Sequence, residues 1–95
     1  PPDAKVAIYG SGFYGAFIQA NLESPEATAC FLDRSPWQQG KELFGVPIIP
    51  PADLPEGIAT VYAGLNPVIA HDVMQAQPWA ERPGLRIVYL QETRR

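Results

Sequence analysis

The sequence predicts an α/β protein with a mostly parallel sheet of five strands. An apolar run near the start of the chain leads directly into a glycine-rich turn, and a helical pattern follows this turn. Short apolar runs and helical patterns then alternate along the chain, which is typical of parallel strands joined by crossover connections. With 95 residues the chain has the length of one small domain.

The glycine-rich turn has the form of the phosphate-binding loop of a Rossmann-type βαβ unit. Gly10 lets the chain leave the strand through a tight bend. The missing side chain of Gly12 lets an anion approach the backbone, and that of Gly15 lets the helix pack closely on the strand. Ser11 adds a hydroxyl donor. Asp33 follows at roughly the 20-residue spacing of the acid that binds a ribose in such units.

The first half of the chain supplies the elements around this turn. We expect Phe13, Phe17 and Ala20 to form the helix face that packs on the sheet, because they recur at helical spacing. The predicted elements are a strand at Lys5–Tyr9, a helix at Phe13–Glu23 and a second strand at Thr28–Leu32.

The middle of the chain is predicted to lack a long helix. Residues 34–45 contain one proline and two glycines, so we expect no full crossover helix there. A short third strand follows at Val46–Ile49, and Pro50–Leu54 has room for at most one helical turn.

The second half continues the alternation with a fourth strand at Ile58–Ala63 and a fifth at Leu85–Leu90. Asn66-Pro67 pairs an N-cap residue with proline at the first helical position, which predicts a helix from there to about Gln77. Right-handed crossovers then predict the strand order 3-2-1-4-5 and a Rossmann-like three-layer sandwich. The residues of the second helix that we expect to be buried are Ile69, Ala70, Val73 and Met74.

Composition and charge exclude several classes of function. The net charge of −3 and the lack of a basic cluster argue against nucleic acid as a partner. No apolar run approaches the ~18 residues of a membrane span, so no membrane partner is expected.

The single cysteine, Cys30, is expected to be a small buried residue, and one cysteine favours a reducing, cytoplasmic location. The sequence has no Cys/His cluster with metal-binding spacing and no recognisable catalytic acid–base pair.

The candidate ligand site lies where the predicted strand order reverses, at the carboxyl ends of the first and fourth strands. Asp33 is a candidate acceptor for sugar hydroxyls, with a purely structural role in the loop as the alternative. Arg34 is a candidate phosphate contact, and Asn66 adds polar groups unless it is only an N-cap. The predicted cofactor-binding residues are Gly10, Ser11, Gly12, Phe13, Tyr14, Gly15, Asp33, Arg34 and Asn66.

Four further residues are weaker candidates. His71-Asp72 has the form of a metal-binding pair, but the chain has a single histidine, so we expect His71 to be a surface residue. Trp37 and Trp79 lie in connections, where a tryptophan commonly covers the core. Trp37 also lies near the ribose end of the proposed site.

The segment from Asp33 to Ile48, which contains Pro36 and the run Gln39-Gly40-Lys41, resembles the region after the second strand in the C-terminal domain of sugar C-methyltransferases. Pro51–Leu54 is similar to the Pro-x-x-Leu turn of those domains. Nucleotide-binding N-terminal domains of sugar acetyltransferases and other polysaccharide-biosynthesis proteins share a looser version. The resemblance covers roughly residues 5–90 and implies a Rossmann-like module attached to a transferase.

The glycine loop departs from that family, which has small residues and a lysine where this chain has Phe13 and Tyr14. In these methyltransferases the methyl donor binds a separate domain, so the resemblance implies no methyl-donor site here. The abrupt termini, Pro1-Pro2-Asp3 and Arg94-Arg95, lead us to expect a single module of residues 1–95 excised from a larger protein.

Three functional hypotheses follow. The first is an accessory nucleotide- or nucleotide-sugar-binding module of a sugar- or glycan-modifying protein, with catalysis in other domains. The second is the cofactor domain of an NAD(P)-dependent oxidoreductase, although a dinucleotide normally spans two βαβαβ halves and this chain has room for little more than one. The third is a degenerate scaffold for domain docking or homodimerisation, favoured if Phe13 or Tyr14 blocks the glycine loop. The size favours a mononucleotide, nucleotide-sugar or coenzyme A fragment as the ligand.

Overall fold

The computed structural model describes residues 4–90 and has an α/β architecture with one six-stranded, mostly parallel sheet. The expectation that the chain was excised from a longer protein rests on terminal residues that lie outside the described ones. Single 3-10 turns occur at Pro25–Ala27 and Pro51–Asp53. The strands and helices are β1 (Lys5–Tyr9), α1 (Phe13–Asn21), β2 (Thr28–Leu32), β3 (Glu42–Leu43), β4 (Val46–Ile49), β5 (Ile58–Ala63), α2 (Pro67–Gln75) and β6 (Arg86–Tyr89).

The strand order in the sheet is β3-β4-β2-β1-β5-β6. β1 pairs in parallel with both β2 and β5, and the β2–β4 and β5–β6 pairs are also parallel. The chain therefore builds outward from β1 on one side and later returns to its other side, which makes the carboxyl end of β1 the switch point. The five-stranded prediction was wrong in missing β3, so the predicted strand order differs from the six-stranded one by this added edge strand, while the other five strands lie in the predicted relative order.

β3 forms a short antiparallel hairpin with β4 at the edge of the sheet. The two strands are joined by Phe44 and Gly45, whose φ angles of 55° and 76° fit a two-residue turn with left-handed residues at both positions. The backbones of Gly40 and Lys41 also bond to Ile48, at 2.9 Å in each direction. Residues 34–45 contain no helix, as predicted, and hairpin pairing takes its place.

The two helices pack against opposite faces of the sheet. Successive side chains of a strand point to opposite faces, and successive residues of β1 belong to different apolar clusters. Ile8 joins Ile18 of α1, together with Phe31 and Ile48. Its neighbours along the strand, Ala7 and Tyr9, join a larger cluster that also contains buried residues of α2 and its following loop, namely Ala70, Met74 and Trp79.

Cys30 lies in this larger cluster and is 2% exposed, which confirms the buried role expected for it. Burial raises the pKa of its thiol to about 11. At neutral pH the thiolate, which is the nucleophilic form, is therefore disfavoured.

The face of α1 that packs on the sheet is the opposite of the one predicted from its apolar spacing. Phe17 is 53% exposed and Phe13 is more so, whereas Ile18 is buried. Close approach decides this, because α1 meets β1 through Gly15, where a side chain has no room. Ile18 and Gln19 follow on the same side of the helix as Gly15.

The buried Gln19 has polar partners that compensate its burial. Its Oε1 accepts a 2.7 Å hydrogen bond from the hydroxyl of Thr28, and its Nε2 donates to the carbonyl of Pro25 at 3.2 Å. These bonds attach α1 to the start of β2. The helix then ends at Asn21 rather than at the predicted Glu23, because Leu22 is extended.

α2 begins as predicted and buries a narrower face than expected. The Oδ1 atom of Asn66 accepts a 2.9 Å hydrogen bond from the N–H of Val68, which confirms the N-cap. Ala70 and Met74 are buried, but Ile69 is 49% exposed, so its predicted burial was wrong.

The later elements are also shorter than predicted. α2 ends at Gln75 instead of near Gln77, since the N–H of Gln77 donates to Met74 in a tighter turn at 3.2 Å. β6 spans Arg86–Tyr89 rather than Leu85–Leu90. Neither described helix has the length and apolar character needed to cross a membrane.

The two tryptophans differ in environment. Trp79 is buried, and its Nε1 donates a 2.7 Å hydrogen bond to the carbonyl of Pro51, so it covers the core as expected. Trp37 is 81% exposed, so the same expectation was wrong for it.

Truncation of one core residue and one exposed residue of α2 tests this burial pattern. We expect Met74→Ala to lower the free energy of unfolding by about 2–5 kcal/mol, because it leaves a cavity in the larger cluster. Ile69→Ala is the matched control and should change it by no more than about 0.5 kcal/mol. Urea unfolding followed by circular dichroism measures both, and equal losses would contradict the observed face of α2.

Candidate functional site

The glycine loop, residues 10–15, lies at the switch point among the carboxyl ends of β1, β2 and β5. The N–H of Gly10 donates to the carbonyl of Leu32 at the end of β2, at 2.6 Å. On the other side, the N–H of Gly64 donates to the carbonyl of Tyr9 at 2.8 Å. The loop therefore starts from a point where three strand ends are held together by backbone hydrogen bonds.

Three glycines are in close backbone contact at this point. A Cβ atom at Gly15 would collide with the carbonyl oxygen of Gly10, and one at Gly10 would collide with the carbonyl oxygen of Gly64. A Cβ at Gly64 would lie 2.7 Å from the carbonyl oxygen of Tyr9. Gly10 also has a φ of 98°, which L-residues rarely adopt. These three positions require glycine for packing, and we call them the glycine contact.

Gly64 was not predicted as part of this contact, although the candidate site was placed at the carboxyl end of the strand that precedes it. Its sequence signal is a glycine directly after an apolar strand. That signal also fits an ordinary turn, and the contact with Gly10 and Gly15 depends on strands that are distant in sequence.

Gly12 is unlike the other glycines of the loop. Its φ is −92°, and among residues 4–90 a Cβ at this position would meet no non-neighbouring atom within 4 Å, so its described environment is open. It is the N-cap residue of α1, and as a glycine it contributes no side-chain cap to this helix end. The first N–H groups of a helix lack intrahelical partners and carry partial positive charge. The open space at Gly12 is therefore next to backbone donors suited to an anion.

Asp33 is hydrogen-bonded to the glycine loop. Its Oδ2 accepts bonds from the N–H and the hydroxyl of Ser11, at 3.0 Å and 2.6 Å. Its Oδ1 accepts a bond from the N–H of Ser35 at 2.9 Å. Burial would raise the pKa of the Asp33 carboxyl, but these bonds and the nearby Arg34 charge outweigh it and hold the pKa below its ordinary value.

These bonds give Asp33 a structural role in the loop, which is one of the two roles considered for it. Each carboxylate oxygen can accept two hydrogen bonds. Its Oδ2 is therefore fully used by Ser11, whereas Oδ1 has capacity for one donor beyond Ser35.

Two glutamines extend this network, and sequence reasoning assigned neither to the site. The Nε2 of Gln38 lies 3.2 Å from the Ser11 hydroxyl, and that of Gln39 donates to the Asp33 carbonyl at 2.8 Å. The helix-free segment after β2 therefore folds against the glycine loop. Adjacent glutamines in a loop gave a weak signal, because their partner Ser11 is remote in sequence.

Arg34 lines a cleft of about 510 Å³ on the face of the sheet that α2 covers, opposite to α1. The other walls come from the turn at Pro51 and from one side of α2, which includes Asp72 and Val73. Tyr9 is at the base of this cleft, and its hydroxyl lies 3.4 Å from the Nε2 of Gln77. Burial raises the pKa of Tyr9, so its hydroxyl is protonated at neutral pH.

The remaining predicted site residues, Phe13, Tyr14 and Asn66, form no hydrogen bond with the Asp33 side chain in the described part of the chain. Phe13 is exposed, and its ring meets that of the half-buried Tyr14 edge-on, with centroids 5.6 Å apart. Asn66 caps α2, as described above. His71 is exposed, and its ring centroid is 5.5 Å from that of Tyr89. Within residues 4–90, no group of His, Cys, Asp and Glu side chains is arranged to hold a metal ion.

A pair of alanine substitutions separates the packing glycines from the open one. We expect Gly15→Ala to lower the free energy of unfolding by about 1–3 kcal/mol or more, because its methyl group meets the Gly10 carbonyl oxygen. Gly12→Ala should change it by less than about 1 kcal/mol, since the space there is open. Urea unfolding curves measure both, and a neutral Gly15→Ala would contradict the close contact.

The Asp33 network predicts an acid-sensitive contribution to stability. Because the folded-state pKa of Asp33 is below the ordinary 3.8, this contribution is fully present above about pH 3.8 and is lost as the pH falls through the folded-state pKa. Asp33→Asn should lower stability at pH 7 and flatten the acid limb of a plot of unfolding free energy against pH. Asp53→Asn, at the Pro51 turn, is the control; an unchanged acid limb in Asp33→Asn would contradict the prediction.

Comparisons with known proteins add no family to these observations. No protein-family model matches the chain, and neither a curated protein nor a solved structure matches it. The features that bear on function are therefore the glycine contact, the open position at Gly12 and the polar network around Asp33.

Proposed function

We propose that this chain is a Rossmann-like, three-layer module that binds the phosphate of a nucleotide or nucleotide-sugar at its glycine loop. In this proposal it is an accessory domain of a sugar- or glycan-modifying protein, such as a methyltransferase, whose other domains carry out catalysis. The observation that carries the proposal is the open space at Gly12 beside the uncapped N-terminus of α1, at the switch point of the sheet.

The contrast between Gly12 and the glycine contact supports this proposal. At Gly10 and Gly15 the missing side chain is explained by packing, but at Gly12 no neighbouring atom of the described residues explains it. The position of Gly12 as the N-cap of α1 accounts for a small residue there, and close approach of a ligand to the backbone is a further physical reason for glycine. Helix-terminal N–H groups attract an anion without a lysine, and the loop has none.

The polar groups next to the loop suit a ligand that carries a sugar. The Oδ1 of Asp33 can accept one more hydrogen bond, from a sugar hydroxyl. Ser11 and Gln38 hold the carboxylate and the loop in fixed relation, so a ligand meets a preformed group. Preformed sites lose less conformational entropy on binding.

The helix-free connection favours a ligand smaller than a dinucleotide. NAD(P) pockets use two βαβαβ halves, whereas residues 34–45 form a loop and a hairpin strand where the first half would have its second helix. A mononucleotide, nucleotide-sugar or coenzyme A fragment therefore fits better than NAD(P), which remains the cofactor of the oxidoreductase alternative.

A second candidate function, a scaffold for docking of other domains or of a second copy, is favoured by one observation. Asp33 already places a carboxylate on the N–H and hydroxyl of Ser11, within the loop that would hold a phosphate. This negative charge repels a second anion nearby. If the Asp33 carboxylate satisfies the donors of Ser11 in this way, the loop would have only a structural role in packing.

A ligand panel tests the proposal on the full chain. We expect a UDP- or dTDP-sugar to raise the melting temperature and shift loop amides in NMR spectra, with NAD, NADP and coenzyme A weaker. At a ligand concentration of about 100 times Kd the stabilisation is about 2.7 kcal/mol. Gly12→Val should abolish the response, because its side chain fills the space of the anion. Ala20→Val, on the exposed side of α1, is the control.

Each outcome of the panel has a distinct meaning. Tight binding of NAD or NADP would contradict the accessory-module proposal in favour of the oxidoreductase domain. No response to any nucleotide from the folded protein would favour the scaffold. Unchanged affinity in Gly12→Val would show that the ligand binds away from the glycine loop.

A further inference from the structure

We propose that the cleft lined by Arg34, Pro51 and Asp72 binds a small zwitterion: a molecule with a carboxylate, an ammonium group and an apolar body, such as a free aliphatic amino acid. This proposal goes beyond the nucleotide proposal and does not rest on it. The cleft is on the α2 side of the sheet, whereas α1 packs on the opposite side.

The first support is a pair of opposite charges that line the same cleft from different elements. Arg34 follows β2 and Asp72 is in α2, and both side chains are exposed. The described residues form one ion pair, between Arg82 and Glu56 at 3.9 Å, and neither Arg34 nor Asp72 takes part in it. Arg34 and Asp72 therefore do not pair with each other, and a ligand with both charges can bridge them.

Arg34 has one charged neighbour that bears on the proposal, the carboxylate of Asp33. Both oxygens of that carboxylate accept hydrogen bonds from Ser11 and Ser35, and no bond joins it to the guanidinium. Among residues 4–90 no hydrogen bond or ion pair uses the Arg34 guanidinium, whose planar arrangement of five donors suits a carboxylate. Asp72, as an acceptor without a donor partner in residues 4–90, suits an ammonium group.

The second support is the apolar part of the cleft lining. Pro51, Ala52, Val73 and Ala76 contribute to the walls, and the buried Tyr9 lies at the base. The volume of about 510 Å³ is within the roughly 300–1,000 Å³ of small-molecule sites. In a bound amino acid, the aliphatic side chain covers these walls. The α-amino group meets Asp72, and the carboxylate meets Arg34.

Charge also distinguishes this ligand from a nucleoside. A neutral nucleobase gives Arg34 no anion and gives Asp72 no cation, so it leaves both charges without ionic partners. Charge-assisted hydrogen bonds are about twice as strong as neutral ones. The zwitterion is therefore the better match, and adenosine becomes a competitor in the test.

The test compares leucine with its two half-ligands in ¹⁵N NMR titrations of the full chain. 4-Methylpentanoate lacks the amine, and 3-methylbutylamine lacks the carboxylate. We expect leucine to shift the amides of Arg34, Asp72 and Val73, and each half-ligand to bind about tenfold more weakly, the effect of losing one charge-assisted bond. Adenosine should not displace leucine.

Two charge-neutralising variants test which residue binds the carboxylate of leucine and which binds its ammonium group. Arg34→Gln should reduce leucine affinity to that of 3-methylbutylamine, and Asp72→Asn should reduce it to that of 4-methylpentanoate. Arg86→Gln and Glu81→Gln remove exposed charges outside the cleft and should leave binding unchanged. The four residues are exposed, so the variants are expected to fold.

The proposal is overturned if 4-methylpentanoate binds as well as leucine, if adenosine displaces leucine, or if millimolar leucine shifts no amide of the cleft. Gly12→Val separates this result from the nucleotide proposal. In that variant leucine binding should persist while nucleotide binding is lost. Loss of both would instead place the two ligands in one site.

Discussion

The contact between Gly10, Gly15 and Gly64 is the constraint on which the rest of the structure depends. It brings the backbones of three segments together at the carboxyl end of β1 without any side chain between them. Because it fixes how closely α1 approaches the sheet, it also fixes which residues of α1 face inward. Helix position, loop shape and the start of the β5–α2 connection therefore follow from one steric requirement.

This requirement explains the unusual distribution of apolar residues on α1. Phe13 and Phe17 are exposed, although a helix usually turns such residues toward the core. With Gly15 against β1, the inward positions belong to Ile18 and Gln19, and Gln19 is tolerated there because Thr28 and Pro25 satisfy its amide. Geometry at the loop thus outweighs the apolar pattern of a nine-residue helix.

The polar network around Asp33 gives the loop its second level of order. Its carboxylate links Ser11, in the glycine loop, to Ser35 after β2, and Gln38 approaches the same hydroxyl. The network stiffens the loop, but it also brings a negative charge close to the position proposed for a phosphate. Affinity for an anion thus depends on whether the helix N-terminus at Gly12 outweighs this charge, and that balance separates a binding module from a scaffold.

The sequence by itself determined the α/β class, the strands at Lys5–Tyr9 and Ile58–Ala63 and the Asn66 cap, because apolar runs and capping signals are local. It also placed the glycine loop between a strand and a helix. Only the tertiary structure decided the inward face of α1, the role of Gly64 and the partners of Asp33. The physical reason is that close backbone contacts and hydrogen bonds between segments distant in sequence leave no periodic signal. The short β3 escaped prediction for a related reason, since two residues cannot show a strand pattern before their partner strand is in place.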